Sequence, residues 1–348
     1  MRETLILGIE TSCDETAAAI VRGGRTILSS KVASQIETHS PFGGVVPELA
    51  GRKHLENLVP VVTAAIEEAG TSTSSLSAIA ITSSPGLLGA LLVGTSFAKA
   101  LAMGWSLPIV EVNHLYAHAL SLFLDGRRPK FPFLSLVASG GHTSLFEVAS
   151  PLELTLIGQT RDDAAGEVFD KISKFLGLGY PGGPAIEVCA AGGKPDAVRF
   201  PRGLERSRTC DFSFSGLKTS VVNHVLGTTA IDGRLADNQA PPLEDAYLKD
   251  LAASFQEAVV DSLVSKTLRA ARERKLGTVA VSGGVAANSR LRRKMVSEGK
   301  KAGVRAIFPS LPLCTDNAAM IAGAAFHLLK QGSVSDYSFR PSPRMKAG

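Results

Sequence analysis

Cysteine is scarce in this sequence: Cys13, Cys189, Cys210 and Cys314 are scattered through 348 residues and form no CxxC pair. That argues against a disulfide framework and a cysteine-built zinc site, and it fits a reducing cytoplasm. None of the glycine turns SPG (84–86), SGGHT (139–143), YPGGP (180–184) and SGGVAAN (282–288) is itself GxxxxGK followed by Ser or Thr, or GxGxxG, so at these turns P-loop and Rossmann readings lack their fingerprints. There is no HExxH either: the residue after His114 is Leu115, where a zinc peptidase needs the glutamate that activates water. No signal peptide is read, because Glu3 sits beside Arg2 and Glu10 breaks the apolar run that follows. The stretch 71–98 lacks charge, yet Ser and Thr run through it and Pro85 interrupts it. It reads as buried strand, loop and helix, and no membrane association is expected.

What is present is a globular composition, with 45% hydrophobic and 20% charged residues. The length suggests about two domains and a core that needs no staples. A net charge of +5 permits a polyanionic partner without requiring one. LILGIETSCDETAAAIV (5–21) reads as strand, small-residue turn, strand, and LSLVASGGHTSLFEV (134–148) has the same plan. Two such hairpins suggest a duplicated architecture, although two unrelated buried hairpins would give the same pattern. Helical spacing covers 47–70, and a small-residue helix follows the Pro85–Gly86 turn. Asn113 is placed to cap a helix carrying His114 and His118. Val168, Ile172, Phe175 and Leu176 mark another helix, and Leu248, Leu251, Phe255, Val259 and Leu263 trace one face of a long one. GYPGGP (179–184) reads as a loop and 236–242 as a linker. A final helix starts at Thr315 or Asp316, and the last dozen residues read as frayed. Strands alternating with helices give a two-domain α/β protein, with a ligand cleft expected between the domains.

His114 and His118 lie one helical turn apart, so both imidazoles can grip one metal ion; two half-buried histidines at chance spacing would look the same. The glycine turns at 84–86, 139–143, 180–184 and 282–288 can offer backbone amides to an anion, though tight turns alone also explain glycine pairs. Acids lie near these turns: Asp14 and Glu15, Asp170, Glu187 and Asp316. Asp14 and Glu15 also suit a plain hairpin turn, and Asp316 a plain helix cap. Arg290, Arg292, Arg293, Lys294, Lys300, Lys301 and Arg305 form a basic cluster opposed nearby only by Glu298. Arg199, Arg202, Arg206 and Arg208 form a second. Both suit a solvated face as well as nucleic-acid phosphates.

GIETSCDET, PELAGRKH, NHLYAH, LVASGGHT, GEVFDK, YPGGP, FSFSGLKT, SGGVAAN and CTDNAAMIA occur in this order over about 5–340. Together they resemble the TsaD (Kae-type) family of tRNA N(6)-adenosine threonylcarbamoyltransferases. The resemblance implies the actin-like, sugar-kinase-like (ASKHA) duplicated fold with an interdomain cleft. Domains are expected at 1–130 and 131–317, with a C-terminal helix at about 318–340 packing back on the first. It implies one divalent ion per subunit, iron or zinc, held by His114, His118 and Asp316. It implies that Val137, Ala138, Ser139, Gly140, Gly141, Asp170, Gly183, Glu187 and Asn288 hold the adenylate, with Glu187 standing where some relatives have Asp. Asp14 and Glu15 match acids near the reacting centre, Asp14 being the candidate for positioning or proton removal. The implied reaction moves a threonylcarbamoyl group from threonylcarbamoyl-adenylate to the exocyclic amine of the adenosine 3′ of the tRNA anticodon, releasing AMP. TsaB-like and TsaE-like partners are implied for a bacterial member. A small-molecule kinase of the same fold and an inactive scaffold paralogue are the alternatives. The first has no need of the histidine pair, and loss of the metal ligands would mark the second.

Overall fold

The structure is a computed structural model that describes residues 3–229 and 239–345. The chain divides into two compact units, Met1–Arg128 with Ala149–Leu154 and Pro309–Gly348, and Pro129–Val148 with Thr155–Phe308. The first unit opens on a meander. β1 (Leu5–Glu10) pairs antiparallel with β2 (Glu15–Arg22), which pairs with β3 (Thr26–Ser34). β4 (Ala78–Ser84) and β5 (Ile109–Asn113) join in parallel on the other side of β1, giving the order β3-β2-β1-β4-β5. β4 is buried along its whole length, as a parallel strand covered on both faces is. The helices are a short turn α1 (Ile36–His39), then α2 (Pro47–Glu68), α3 (Leu88–Trp105) and α4 (His114–Leu120). Pro47 opens α2, where the N–H it lacks would have no intrahelical partner. Leu58, Val61, Val62 and Ala65 of α2 pack with Leu7, Ile9, Ile20, Ile79 and Ile81 of the sheet. By length and composition α3 could cross a membrane, the one such helix among the described residues. Its Ala90, Leu91, Gly94, Thr95, Ala98 and Ala102 are buried in this unit.

The second unit repeats the plan. β6 (Phe133–Ala138), β7 (Thr143–Ser150) and β8 (Glu153–Gln159) form a meander, and β9 (Thr278–Ser282) and β10 (Arg305–Ile307) add in parallel, in the order β10-β9-β6-β7-β8. Its helices are α5 (Ala165–Phe175), α6 (Gly182–Cys189), α7 (Ser215–Thr229), α8 (Asp245–Glu273) and α9 (Ser289–Lys301). The duplication suggested by the two hairpins is therefore present as two sheets of identical strand order. From Pro309 the chain belongs to the first unit again, and α10 (Ala318–Lys330) packs on β1. Gly8 permits that packing, since a Cβ there would stand 2.2 Å from the Ala318 carbonyl oxygen.

Four local expectations are corrected. GYPGGP is loop only as far as Pro181; α6 begins at Gly182, whose N–H the Asp170 carboxylate accepts at 2.7 Å. Asn317, rather than Thr315 or Asp316, caps α10 by accepting the Met320 N–H. Residues 309–317 go with the first unit, where Asp125 accepts the Ser310 N–H at 2.9 Å. The last residues described are tied down: Lys99 donates to the Phe339 carbonyl and lies over its ring, and Ser342 N–H donates to Ser83 O. Of the linker read at 236–242, residues 236–238 lie outside the described residues, and 239–242 have no regular structure.

Candidate functional site

Strands β1, β4 and β5 run parallel, so their carboxyl ends lie along one edge, where open α/β sheets place ligands. Glu10 ends β1, Thr82 lies near the end of β4, and His114 directly follows β5. The Asn113 side chain caps α4, accepting from the N–H groups of Leu115 and Tyr116. The two histidines then share one side of α4, both buried, with ring centroids 4.7 Å apart. Asp316 meets them: its Oδ1 is 3.0 Å from His118 Nε2 and 3.5 Å from His114 Nε2. One donor atom from each of the three lies within 4.8 Å of the others. With Asn317 as the cap, the plain-cap reading of Asp316 falls away.

The electrostatics around these donors are uneven. Burial pushes His114 down, but the Asp316 and Glu10 carboxylates outweigh it and hold the ring up at about 9. Burial pushes Glu10 up, and the neighbouring His114 more than reverses this, leaving it below the usual carboxylate range. Burial holds His118 below the ordinary histidine value, so this ring is neutral, the form that ligates. Its Nδ1 is buried with no hydrogen-bond partner, while its Nε2 faces Asp316. Two imidazoles, a carboxylate and a second carboxylate behind one imidazole make a donor set suited to iron or zinc, and the residues present fit such an ion.

The turn from β1 to β2 carries Cys13, Asp14 and Glu15. It rests on a chain of buried side chains whose proton directions are all determined. Val46 N–H donates to His39 Nδ1 and His39 Nε2–H to Gln35 Oε1. Gln35 Nε2 and Thr16 Oγ1 donate to His54 Nδ1, and His54 Nε2–H donates to the Cys13 carbonyl at 2.9 Å. Both histidines are held below their ordinary value by burial, which matches this neutral pattern. Burial pushes Asp14 up, and the Asp316 charge pushes it further. Glu15 is pushed up to about 7, first by burial, with Asp14 and Asp316 adding to it and the Ser34 hydroxyl opposing. Its Oε2 is buried without a partner. The acids read as catalytic thus lie within electrostatic reach of the metal-ligand candidate Asp316.

In the second unit, Val137 and Ala138 end β6, and Ser139, Gly140 and Gly141 form the turn to β7. The Gly166 N–H at the start of α5 donates to the Ser139 carbonyl, so that helix begins against the turn. Asp170 of α5 accepts the N–H of Gly182, the residue that precedes Gly183 at the start of α6. Glu187 and Asn288 are also brought together: Glu187 accepts from the Ser289 N–H at 2.9 Å and from Asn288 Nδ2 at 3.3 Å. Asn288 in turn caps α9 through the Leu291 N–H and donates to Gln256. The basic cluster is less free than its sequence neighbours imply. Arg290 and Lys294 both pair with Glu257, Lys294 and Arg202 with Asp261, and Arg292 lies over the Phe308 ring.

Sequence reasoning passed over Glu10, Ser12 and Thr82 around His114, and Gln35, His39 and His54 beneath the acidic turn. A signal existed for Glu10, the one charged residue in the strand LILGIE, because buried charges are seldom found without a partner.

A family model described as TsaD, tRNA N6-adenosine threonylcarbamoyltransferase, matches residues 26–323. A relative with that name from Syntrophomonas wolfei is 48% identical over 345 residues, covering 99% of this chain and 98% of its own. Another from Geobacter metallireducens is 51% identical over 333 residues, covering 95% and 94%. Among solved structures, component A of the (R)-2-hydroxyglutaryl-CoA dehydratase of Acidaminococcus fermentans superposes with a TM-score of 0.53 at 13% identity, covering 95% of this chain and 99% of that one. That likeness concerns the fold, which is the actin-like, sugar-kinase-like one. The chain belongs to the TsaD family of tRNA N6-adenosine threonylcarbamoyltransferases.

Proposed function

We propose that this chain transfers the threonylcarbamoyl group from threonylcarbamoyl-adenylate to the N6 amine of the adenosine 3′ of the tRNA anticodon, releasing AMP. The observation that carries the reading is the meeting of His114, His118 and Asp316, with Asp14 and Glu15 close by in the same unit. The donor is a mixed anhydride and already activated. The acceptor amine is a poor nucleophile, because its lone pair is delocalised into the purine. Catalysis therefore depends on positioning the amine, polarising the carbamoyl carbonyl and stabilising the departing phosphate. Iron or zinc, when bound by His114, His118 and Asp316, supplies Lewis acidity toward the threonylcarbamoyl oxygens. Glu15 suits proton removal from the attacking amine, since its carboxyl lies at about 7 and a good general base has a pKa near the working pH. Asp14 is assigned to positioning beside it. Gly140 and Gly141 offer backbone N–H groups to the adenylate phosphate, and Asp170, Gly183, Glu187 and Asn288 hold the nucleoside. Of these, Glu187 and Asn288 act from a network that also caps α9. The target base lies in an RNA loop and can be splayed out to react.

The kinase alternative gives no account of two buried histidines converging on an aspartate, and the inactive-scaffold alternative predicts loss of the ligands, which are all present. A TsaB-like and a TsaE-like protein are the partners expected of a bacterial member. We assign the first to the open apolar groove lined by Leu55, Leu58, Leu92, Val93, Ser96 and Phe97 on α2 and α3. Leu55 and Leu92 are 66% and 48% exposed, and apolar surface left open in this way commonly marks a protein contact. The test is transfer in a purified system containing the chain, both partners, unmodified tRNA and synthetic threonylcarbamoyl-adenylate. Modified adenosine and AMP should form in equal amounts without ATP hydrolysis in the transfer step itself. Absence of both, with phosphorylation of a small acceptor instead, would favour the kinase.

A further inference from the structure

We infer that Glu10 sets His114 for metal binding: its carboxylate takes the Nδ1–H of that imidazole, so that Nε2 turns its lone pair toward the ion shared with His118 and Asp316. The inference rests on the metal reading above and extends it to a residue outside the ligand set. Glu10 is fully buried at the end of β1. Its Oε2 lies 2.9 Å from His114 Nδ1 and accepts the Thr82 hydroxyl at 2.6 Å, while its Oε1 accepts the Ser12 N–H. Donors from three separate segments thus surround one buried carboxylate and offset the cost of taking its charge out of water.

Two of those three contacts do not require a charge. The Ser12 N–H at Oε1 would be satisfied by a neutral amide oxygen, and the Thr82 hydroxyl at Oε2 can turn to accept from an amide N–H instead. The imidazole contact is different, because a carboxylate accepts only and therefore demands a protonated Nδ1. Ser12 Oγ, 3.2 Å from the same nitrogen, is a second acceptor there. With Nδ1 fixed as the donor, the ring has one nitrogen left for a ligand bond, and that Nε2 is the atom 3.5 Å from Asp316 Oδ1. A carboxylate behind a ligating imidazole also raises the ring's basicity and holds its plane. His118 has no equivalent, since its Nδ1 is buried without a partner. The two histidines are therefore unequal, and Glu10 is a positioning residue for one of them.

The test compares metal-free wild type with Glu10→Gln, which keeps the shape and the oxygen facing the Ser12 N–H but turns an amide N–H toward the Thr82 hydroxyl and His114 Nδ1. Zinc affinity is read by competition with a chromophoric chelator, and the thermal midpoint of each metal-free protein is read alongside. The expected result is an affinity about 10–100-fold weaker in the variant, with a lower metal-free midpoint because the buried contact of Glu10 with His114 is broken, so affinities are compared at a temperature where both proteins are folded. Affinity within twofold of wild type would overturn the inference and leave the metal reading standing. If wild type itself binds no zinc or iron, the metal reading fails and this inference with it. A second measurement needs no folded variant: nitrogen-15 histidine spectra of zinc-loaded wild type should show His114 protonated at Nδ1 and not at Nε2. The opposite tautomer would overturn the assignment.

Discussion

Glu15 keeps its proton to about 7 in the fold, against an ordinary value near 4.5, because burial disfavours its charged form and Asp14 and Asp316 repel it. In the unfolded chain the same carboxyl ionises at the lower value. Between about 4.5 and 7 the unfolded state therefore gains from ionisation while the folded state does not, and stability falls as pH rises through that window. Glu15→Gln removes this loss. Thermal midpoints should show the variant gaining on wild type across the window, with a constant difference below and above it. A difference that does not change with pH would mean that Glu15 titrates like a solvated acid. At this scale the sequence was legible only where the signal is local. The spacing of His114 and His118 marks a shared helix face. Asp316 is joined to them only by the family resemblance, and in the sequence Glu10 marks only the end of an apolar run. Its partners Thr82 and His114 stand 72 and 104 positions away, and strand pairing brings them together.

The start of α6 shows what one element asks of two adjacent glycines. A Cβ on Gly182 would stand 2.4 Å from the Phe169 carbonyl oxygen, so no side chain fits where α6 abuts α5. A Cβ on Gly183 meets nothing within 4 Å. Gly183→Arg should accordingly fold with a melting temperature near that of wild type while filling the space assigned to the adenylate. Calorimetry with a non-hydrolysable adenylate analogue should show binding reduced at least about tenfold, a loss of 1.4 kcal/mol or more. Unchanged affinity would remove Gly183 from the site. The element also shows why a glycine-rich stretch read as loop turned out to begin a helix. Its first N–H is held by Asp170, on a different helix, and that contact is invisible to local pattern. The hairpins, by contrast, were legible because period and turn chemistry are local properties, and both sheets were built as those hairpins indicated. The polar tail reads as frayed for the opposite reason: Lys99 and Ser83, which anchor it, lie more than two hundred positions earlier.

For the molecule as a whole, the two sheets of equal strand order account for the fold, and the positive net charge of +5 has to be placed on it. Part of the basic charge is spent internally, since Glu257 and Asp261 of α8 pair with Arg290 and Lys294 of the first cluster and with Arg202 of the second. Arg293, Lys300 and Arg305 stay exposed and are the better candidates for RNA phosphates. Reversing Arg293 and Lys300 to Glu should weaken tRNA binding and flatten its salt dependence by about one unit of log–log slope per lost contact. An unchanged slope would mark α9 as a solvated face and turn attention to Arg199, Arg206 and Arg208. The central claim is that His114, His118 and Asp316 hold one ion that transfer requires. The direct test is elemental analysis beside a tRNA modification assay, on wild type and His118→Ala reconstituted with the same partners. The account predicts about one iron or zinc per wild-type chain, little metal in the variant, and transfer lost in proportion. Full transfer by a protein verified as metal-free would contradict it and leave the two histidines as structural residues.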